Sequence, residues 1–135
     1  MDELQLRLAH NGYRLTQPRR LLFEVLADTD QPRSLTTIHE LLSTIDRSSI
    51  YRTLTLYQQL NIVRVVHVGW KKLYELAEPF SPHHHHLQCT VCGELLDIDT
   101  PALEHLTESI AHHYGYTLTS HHFELEGICS RCRRV

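Results

Sequence analysis

Apolar residues recur at helical spacing along the first sixty residues and at strand spacing just after them. Leu4 and Leu8 lie one turn apart in a short helix predicted over Asp2 to His10, with Asn11-Gly12 as its stop. Thr16-Gln17-Pro18 starts a second helix: Thr16 serves as N-cap, and the proline sits in the first turn, where no N–H is missed. Leu21, Leu22, Val25 and Leu26 form its apolar stripe, which leaves Arg19 and Arg20 near the exposed N-terminal end. Asp28 to Arg33 is a polar turn. Ser34 then caps a third helix whose inward residues are Leu35, Ile38, Leu41 and Leu42.

The fourth helix, predicted from Ser48 to Leu60, carries more information. Ile50, Leu54 and Tyr57 fall on one side and point to a core. Ser48, Arg52, Thr55 and Gln59 line the opposite side, with Tyr51 on its flank, and each can hydrogen-bond to DNA. A solvated helix face would look the same, so the next elements of the chain decide. Asn61 ends the helix, and two β-branched strands, Ile62 to Val68 and Trp70 to Leu76, are joined at Gly69. Helices followed by a hairpin describe a winged helix-turn-helix, with Trp70, Lys71 and Lys72 at the wing tip.

Pro79 and Pro82 bracket a predicted hinge, which divides the chain into a winged-helix domain at 1–77, a hinge at 78–82 and a second domain at 83–135. Beyond the hinge, Glu94 to Ile98 reads as a short strand. Thr100-Pro101 opens a helix striped by Leu103, Leu106, Ile110 and Tyr114, and Tyr116 to Gly127 reads as a strand with a bulge near His121 and His122. The fold class expected is α+β, with the second domain a small α/β unit that buries its exposed apolar surface against a copy of itself.

Charge separates the two halves. The net charge is −3, yet residues 1–77 carry ten Lys or Arg against eight acids, while residues 78–135 carry three against eight. The first half can face phosphates, and the second suits cations. No apolar run approaches the roughly 18 residues of a membrane span, and no secretory signal is visible, so a cytoplasmic protein is expected.

All four cysteines occur in Cys-x-x-Cys pairs, Cys89 with Cys92 and Cys129 with Cys132, separated by 36 residues. Such pairs suit tetrahedral zinc, because one tight turn aims both sulfurs at a point about 2.3 Å from each. Gly93, directly after the first pair, supplies the positive φ that such a turn often needs. Two disulfides would require an oxidising compartment, and a thioredoxin-like pair a βαβ context that neither has. The spacing therefore predicts one structural zinc held by all four thiolates. Twelve histidines are an excess, most of them in clusters at 83–86, 112–113 and 121–122.

Taken together, four stretches of the chain resemble the ferric uptake regulator (Fur) family of metal-dependent transcription factors: Arg14-Leu15-Thr16-Gln17-Pro18-Arg19, Ser49-Ile50-Tyr51-Arg52-Thr53-Leu54, the His tetrad leading into Cys89-x-x-Cys92-Gly93, and Gly127-Ile128-Cys129-x-x-Cys132. The resemblance spans essentially the whole length. It implies a homodimer that binds a palindromic double-stranded DNA operator when charged with metal, most simply as a repressor, with no small organic substrate. It also implies that Tyr51 and Arg52 face DNA, and Arg14, Arg19, Ser48, Ser49, Thr55 and Lys71 join them as candidate contacts.

By the same resemblance a sensing site draws on Glu75, His84, His86 and Asp97, and a second site on His83, His85, Glu104 and His121. Strand alternation gives this division a physical basis, since odd and even residues face opposite sides. Nitrogen and carboxylate donors suit Fe2+, Mn2+ or Zn2+ as the regulatory ion. One departure stands out: family members usually add a histidine from the DNA-binding domain to the sensing metal, and that position here is Pro32 or Arg33, with His39 inside the next helix. Peroxide-sensing members use that histidine as an oxidation target, which argues against that subclass. The alternatives are a zinc-stabilised DNA-binding protein that does not sense metal and, on weaker footing, a peroxide-sensing member, whose preferred type of carboxylate Asp97 is, or a metalloenzyme, for which no His-Glu-x-x-His or comparable motif is present.

Overall fold

A computed structural model of the chain describes residues 1–134, which divide into two compact units, one ending at Pro82 and the other beginning at His83. The first contains α1 (Asp2–His10), α2 (Gln17–Ala27), β1 (Arg33–Ser34), α3 (Leu35–Leu41), α4 (Arg47–Gln59), β2 (Val63–Val68) and β3 (Lys71–Leu76). The second contains β4 (His85–Cys89), β5 (Leu95–Ile98), α5 (Pro101–His113), β6 (Glu124–Gly127) and α6 (Ser130–Arg133). The architecture is α+β, a helical and winged N-terminal region followed by a sheet domain with a four-cysteine cluster.

In the first unit the helical stripes become one core. Leu4 and Leu8 of α1, Leu22 and Leu26 of α2, Ile38 of α3, and Ile50, Leu54 and Tyr57 of α4 are all buried together. Each fully buried aliphatic side chain contributes about 1.5–3 kcal/mol, so the helices are held by tertiary packing more than by their own propensity. Leu41 departs from expectation and is exposed, because α3 ends there and Leu42 takes the inward place. Ser34 caps α3 as expected, its Oγ accepting the Thr37 N–H at 3.1 Å.

The cap of α4 is Asp46, which begins the helix one residue earlier than the apolar spacing suggests. Its carboxylate accepts the Ser49 N–H at 2.9 Å. At the other end Asn61 adopts φ +53, a left-handed conformation that asparagine tolerates, and its carbonyl accepts from Arg7 Nη1 at 3.2 Å. The chain then enters the wing. Val68 pairs with Lys71 across a two-residue turn, and Gly69 at φ +60 takes the first central position, as a type II′ turn requires. β3 lies between β2 and β1, both antiparallel to it. Residues 78–82, expected as a hinge, group with this unit: Phe80 packs edge-on against Phe23 with centroids 5.3 Å apart, and the Arg7 guanidinium lies over the Phe80 ring.

The second unit is built differently. β4 is central, antiparallel to β5 and parallel to β6. Among its described residues Cys89 is the only buried hydrophobic side chain, and the other buried ones are His85, His86 and Thr107. Leu106, Ile110 and Tyr114 of the α5 stripe are exposed, as are Tyr116, Leu118 and Leu125. A domain this poor in apolar core depends on staples or a partner chain.

The strand expected over Tyr116 to Gly127 forms only at Glu124–Gly127, so no bulge is needed at His121 and His122. The register shows how far the ladder could reach: His86 is the first residue of β4 to pair with β6, and a strand running back to Ser120 and Thr117 would meet Pro82 and Pro79, which cannot donate.

Candidate metal centres and nucleic-acid interface

The first cysteine pair sits on a tight turn that closes β4. Cys89 N–H donates to the Glu94 carbonyl, and the Cys89 carbonyl accepts from Gly93, both at 2.9 Å, with Gly93 at φ +77. Parallel pairing sets Gly127 beside Cys89, so the chain leaving β6 carries Cys129 and Cys132 to the same place. The four Sγ atoms lie within 4.8 Å of one another, and Cys92 and Cys129 are 3.9 Å apart. Bonds of about 2.3 Å to a tetrahedral ion give an S–S edge of about 3.8 Å, so the donor set fits zinc. No cysteine is in a disulfide.

Electrostatics prepare the cluster for a cation. The Cys129 N–H, 3.4 Å from Cys89 Sγ, leads several backbone donors that bring the Cys89 thiol down to about 6. Backbone N–H of Cys132 lowers Cys129, while the hydrogen bond to Cys129 pushes Cys132 up to about 12. Holding four thiolates this close together requires a positive ion.

Strand alternation sends His83 and His85 to one side. His83 Nε2 lies 3.2 Å from His85 Nε2 and 3.1 Å from His121 Nε2. Glu104, in the first turn of α5, reaches His85 and His121 with its two oxygens, each at 2.7 Å. A tetrahedral ion with metal–nitrogen bonds of about 2.0–2.1 Å would set nitrogens about 3.3 Å apart, so these donors also fit a metal. Three nitrogens and a carboxylate fill a tetrahedron, whereas a catalytic zinc keeps one position for water. The His85 hydrogen bond, then the neighbouring His121 and His83, hold the Glu104 carboxyl below its ordinary value.

His84 and His86 meet edge to face, with centroids 4.8 Å apart and planes at 86°. The register puts Asp97 of β5 directly beside His86, with Oδ1 3.6 Å from Nε2. On the other flank β6 contributes Glu124, with Oε1 3.3 Å from His86 Nδ1, a residue that sequence reasoning missed. Its only sequence signal is parity, as an acid at an alternate position of a strand. Glu75 belongs to the first unit, on β3, where Arg64 directly across the hairpin forms an ion pair with it.

The face expected to meet DNA is a shallow groove in the first unit, lined among others by Tyr13, Arg19, Ser49, Tyr51, Arg52 and Thr55. Arg52 Nη2 donates to Ser49 Oγ at 3.1 Å, and Ser49 Oγ donates to Asp46 at 2.7 Å, so the helix cap also orients an arginine of the face expected to meet DNA. The Ser49 hydroxyl holds the Asp46 carboxyl below its usual range. Asp46 was missed as a cap; the signal was an acid three residues before Ser49. Arg19 lies over the Tyr13 ring and donates to the Arg14 carbonyl at 2.5 Å. Arg14, Ser48 and Lys71 are exposed outside the groove, and Trp70 at the wing tip is fully exposed.

Comparison with known proteins agrees with this geometry. The model of the ferric uptake regulator family matches residues 10–126. A ferric uptake regulation protein of Vibrio parahaemolyticus is 32% identical over 136 residues, covering 96% of this chain and 90% of that protein. The Helicobacter pylori ferric uptake regulator, whose structure reveals three functional metal binding sites, shares the fold with a TM-score of 0.80 at 23% identity, covering 98% of this chain and 90% of its own. A zinc-bound manganese uptake regulator is similar at 26% identity and a TM-score of 0.64, covering 93% of this chain and 98% of its own. Fur regulators bind DNA operators as dimers, and among the described residues no helix is long and apolar enough to cross a membrane. The family match over most of the chain, the winged fold and the four-cysteine cluster make this chain a member of the ferric uptake regulator family, a metal-dependent transcriptional regulator and not an enzyme.

Proposed function

We propose that the chain is a cytoplasmic repressor that binds a palindromic operator as a homodimer when its sensing site is loaded with Fe2+, Mn2+ or Zn2+. Cys89, Cys92, Cys129 and Cys132 hold a permanent zinc. His83, His85, Glu104 and His121 hold a second ion, and His84, His86 and Asp97, joined by Glu75 of the winged unit, form the sensing site. The observation that carries this reading is the alternation along the tetrad. It gives one group of donors wholly inside the second unit and leaves His84 and His86 on the other face, with a carboxylate beside them. Nitrogen and oxygen donors admit all three ions, so the donor set does not select among them.

The second unit supplies its own argument for the dimer. Ile110, Tyr114, Tyr116 and Leu118 line one apolar groove on its surface, a patch that a second copy would cover. In the winged unit, Arg52 and Thr55 on α4 face bases, and Arg14, Arg19 and Lys71 face phosphates. An ion held by residues of both units favours the arrangement in which two winged units fit adjacent half-sites, and its effect is limited to its differential affinity for that arrangement. Imidazole and carboxylate must be deprotonated to ligate, so DNA affinity falls with chelators and below about pH 6.

A second reading, a zinc-stabilised DNA-binding protein without sensing, is favoured by one observation. Arg33 pairs with Tyr74, one residue from Glu75, and neither it nor Pro32 can ligate a metal. Operator binding measured across Fe2+, Mn2+ and Zn2+ separates the two: affinity that rises with one ion supports sensing, and affinity indifferent to all three supports the second reading.

A further inference from the structure

We infer that Glu124 is a positioning residue for the sensing metal: by accepting a hydrogen bond from His86 Nδ1, it fixes the imidazole in the tautomer that leaves Nε2 bare for the ion. The inference rests on the proposed sensing site.

The sheet register carries it. His86 is the one residue of β4 flanked by acids on both neighbouring strands, Asp97 on β5 and Glu124 on β6. Residues directly paired across strands share a face, so both carboxylates stand on the same side as the ring. They address different atoms. Glu124 Oε1 is 3.3 Å from Nδ1, close enough to accept its proton, while Asp97 Oδ1 is 3.6 Å from Nε2, beyond hydrogen-bond length.

A neutral imidazole carries its proton on one nitrogen and ligates through the other. Histidine in water favours the proton on Nε2, which here is the nitrogen that faces Asp97. An acceptor on Nδ1 reverses that preference. It also stiffens the ring and raises the basicity of Nε2, as a carboxylate does behind many metal-bound histidines. His85, the tetrad member one residue earlier, is placed differently: its Nε2 contacts Glu104, and its rung pairs with Ile98 on β5. Glu124 therefore acts on His86 and not on His85.

The test uses the full-length protein with its structural zinc retained. Imidazole 1H–15N correlation spectra read the tautomer of His86, and broadening on Co2+ titration reads occupancy separately at His86 and at His121. Native protein is expected to show His86 protonated on Nδ1. Glu124→Ala, at a half-exposed side chain, is expected to move the proton to Nε2 and to raise the Co2+ midpoint at His86 about 10- to 100-fold, with the midpoint at His121 unmoved. Glu124→Gln, whose amide oxygen can still accept, is expected to restore the tautomer and most of the affinity. A Co2+ response at His86 that Glu124→Ala leaves unchanged, with the Nδ1 proton in place, overturns the positioning role alone. No Co2+ response at His86 in native protein overturns it together with the sensing site.

Discussion

Cys92 Sγ stands 3.9 Å from Cys129 Sγ, although 36 residues separate them in the chain. The contact joins the turn after β4 to the start of α6, and in a unit whose only buried apolar side chain among the described residues is Cys89, it substitutes for a core. Cys129→Ser is expected to reduce tightly held zinc from about one equivalent to a small fraction and to unfold the second unit, because zinc binding to such a cluster is folding free energy. Elemental analysis together with melting curves checks both. A variant that keeps its zinc and its melting temperature would contradict the assignment.

Tyr57 ties α4 to α2: its hydroxyl donates to the Arg19 carbonyl at 2.8 Å, and burial pushes its ionisation well above the ordinary range. Tyr57→Phe is expected to cost about 0.5–1.5 kcal/mol in denaturant unfolding of the first unit, the net worth of one such bond. Zinc content should not change.

Glu104 gives the metal-free protein a pH dependence with a defined sign. Its folded carboxyl ionises below the ordinary 4.5, chiefly through the His85 hydrogen bond. Its contribution is therefore present above pH 4.5 and is lost as pH falls through the lower folded value. Melting temperatures of chelated native protein and Glu104→Gln, compared from pH 7 down to pH 3, should differ at the top of that range and converge at the bottom. A gap that widens with acid would reverse the sign.

The exposed stripe on α5 is the expected dimer surface. Ile110→Arg, which puts a charge into the groove lined by Tyr114, Tyr116 and Leu118, should shift sedimentation from dimer to monomer without loss of either zinc or helical content. A dimer unaffected by it would place the interface elsewhere.

The helices of the first unit were legible because their apolar stripes face a core inside the same unit: Leu4, Leu8, Ile50, Leu54 and Tyr57 are buried as their spacing predicts. The stripe on α5 was legible as a pattern, but within one chain it faces solvent, since periodicity reveals that a face is apolar and not what covers it. The cysteine cluster could be read from spacing alone, because two sulfurs on one turn have few other uses. The alternation of the tetrad was equally visible. Glu124 was not, because its role depends on a parallel pairing between β4 and β6 that no local pattern encodes. The long strand over residues 116–127 failed for a related reason: alternation of side chains is necessary for a strand, but a ladder partner is what makes one.

The most direct test of metal-dependent DNA recognition starts from a duplex selected from a random library by the metal-loaded native protein. Its affinity is then measured by fluorescence anisotropy with and without added Fe2+, Mn2+ or Zn2+, for native protein and for the triple variant of Glu75, His84 and His86 to Ala. One ion is expected to tighten native binding about tenfold or more, within the usual range of allosteric coupling, and the triple variant with its thiolate-bound zinc intact is expected not to respond. Equal affinity in native and variant protein, with and without every ion, would contradict it.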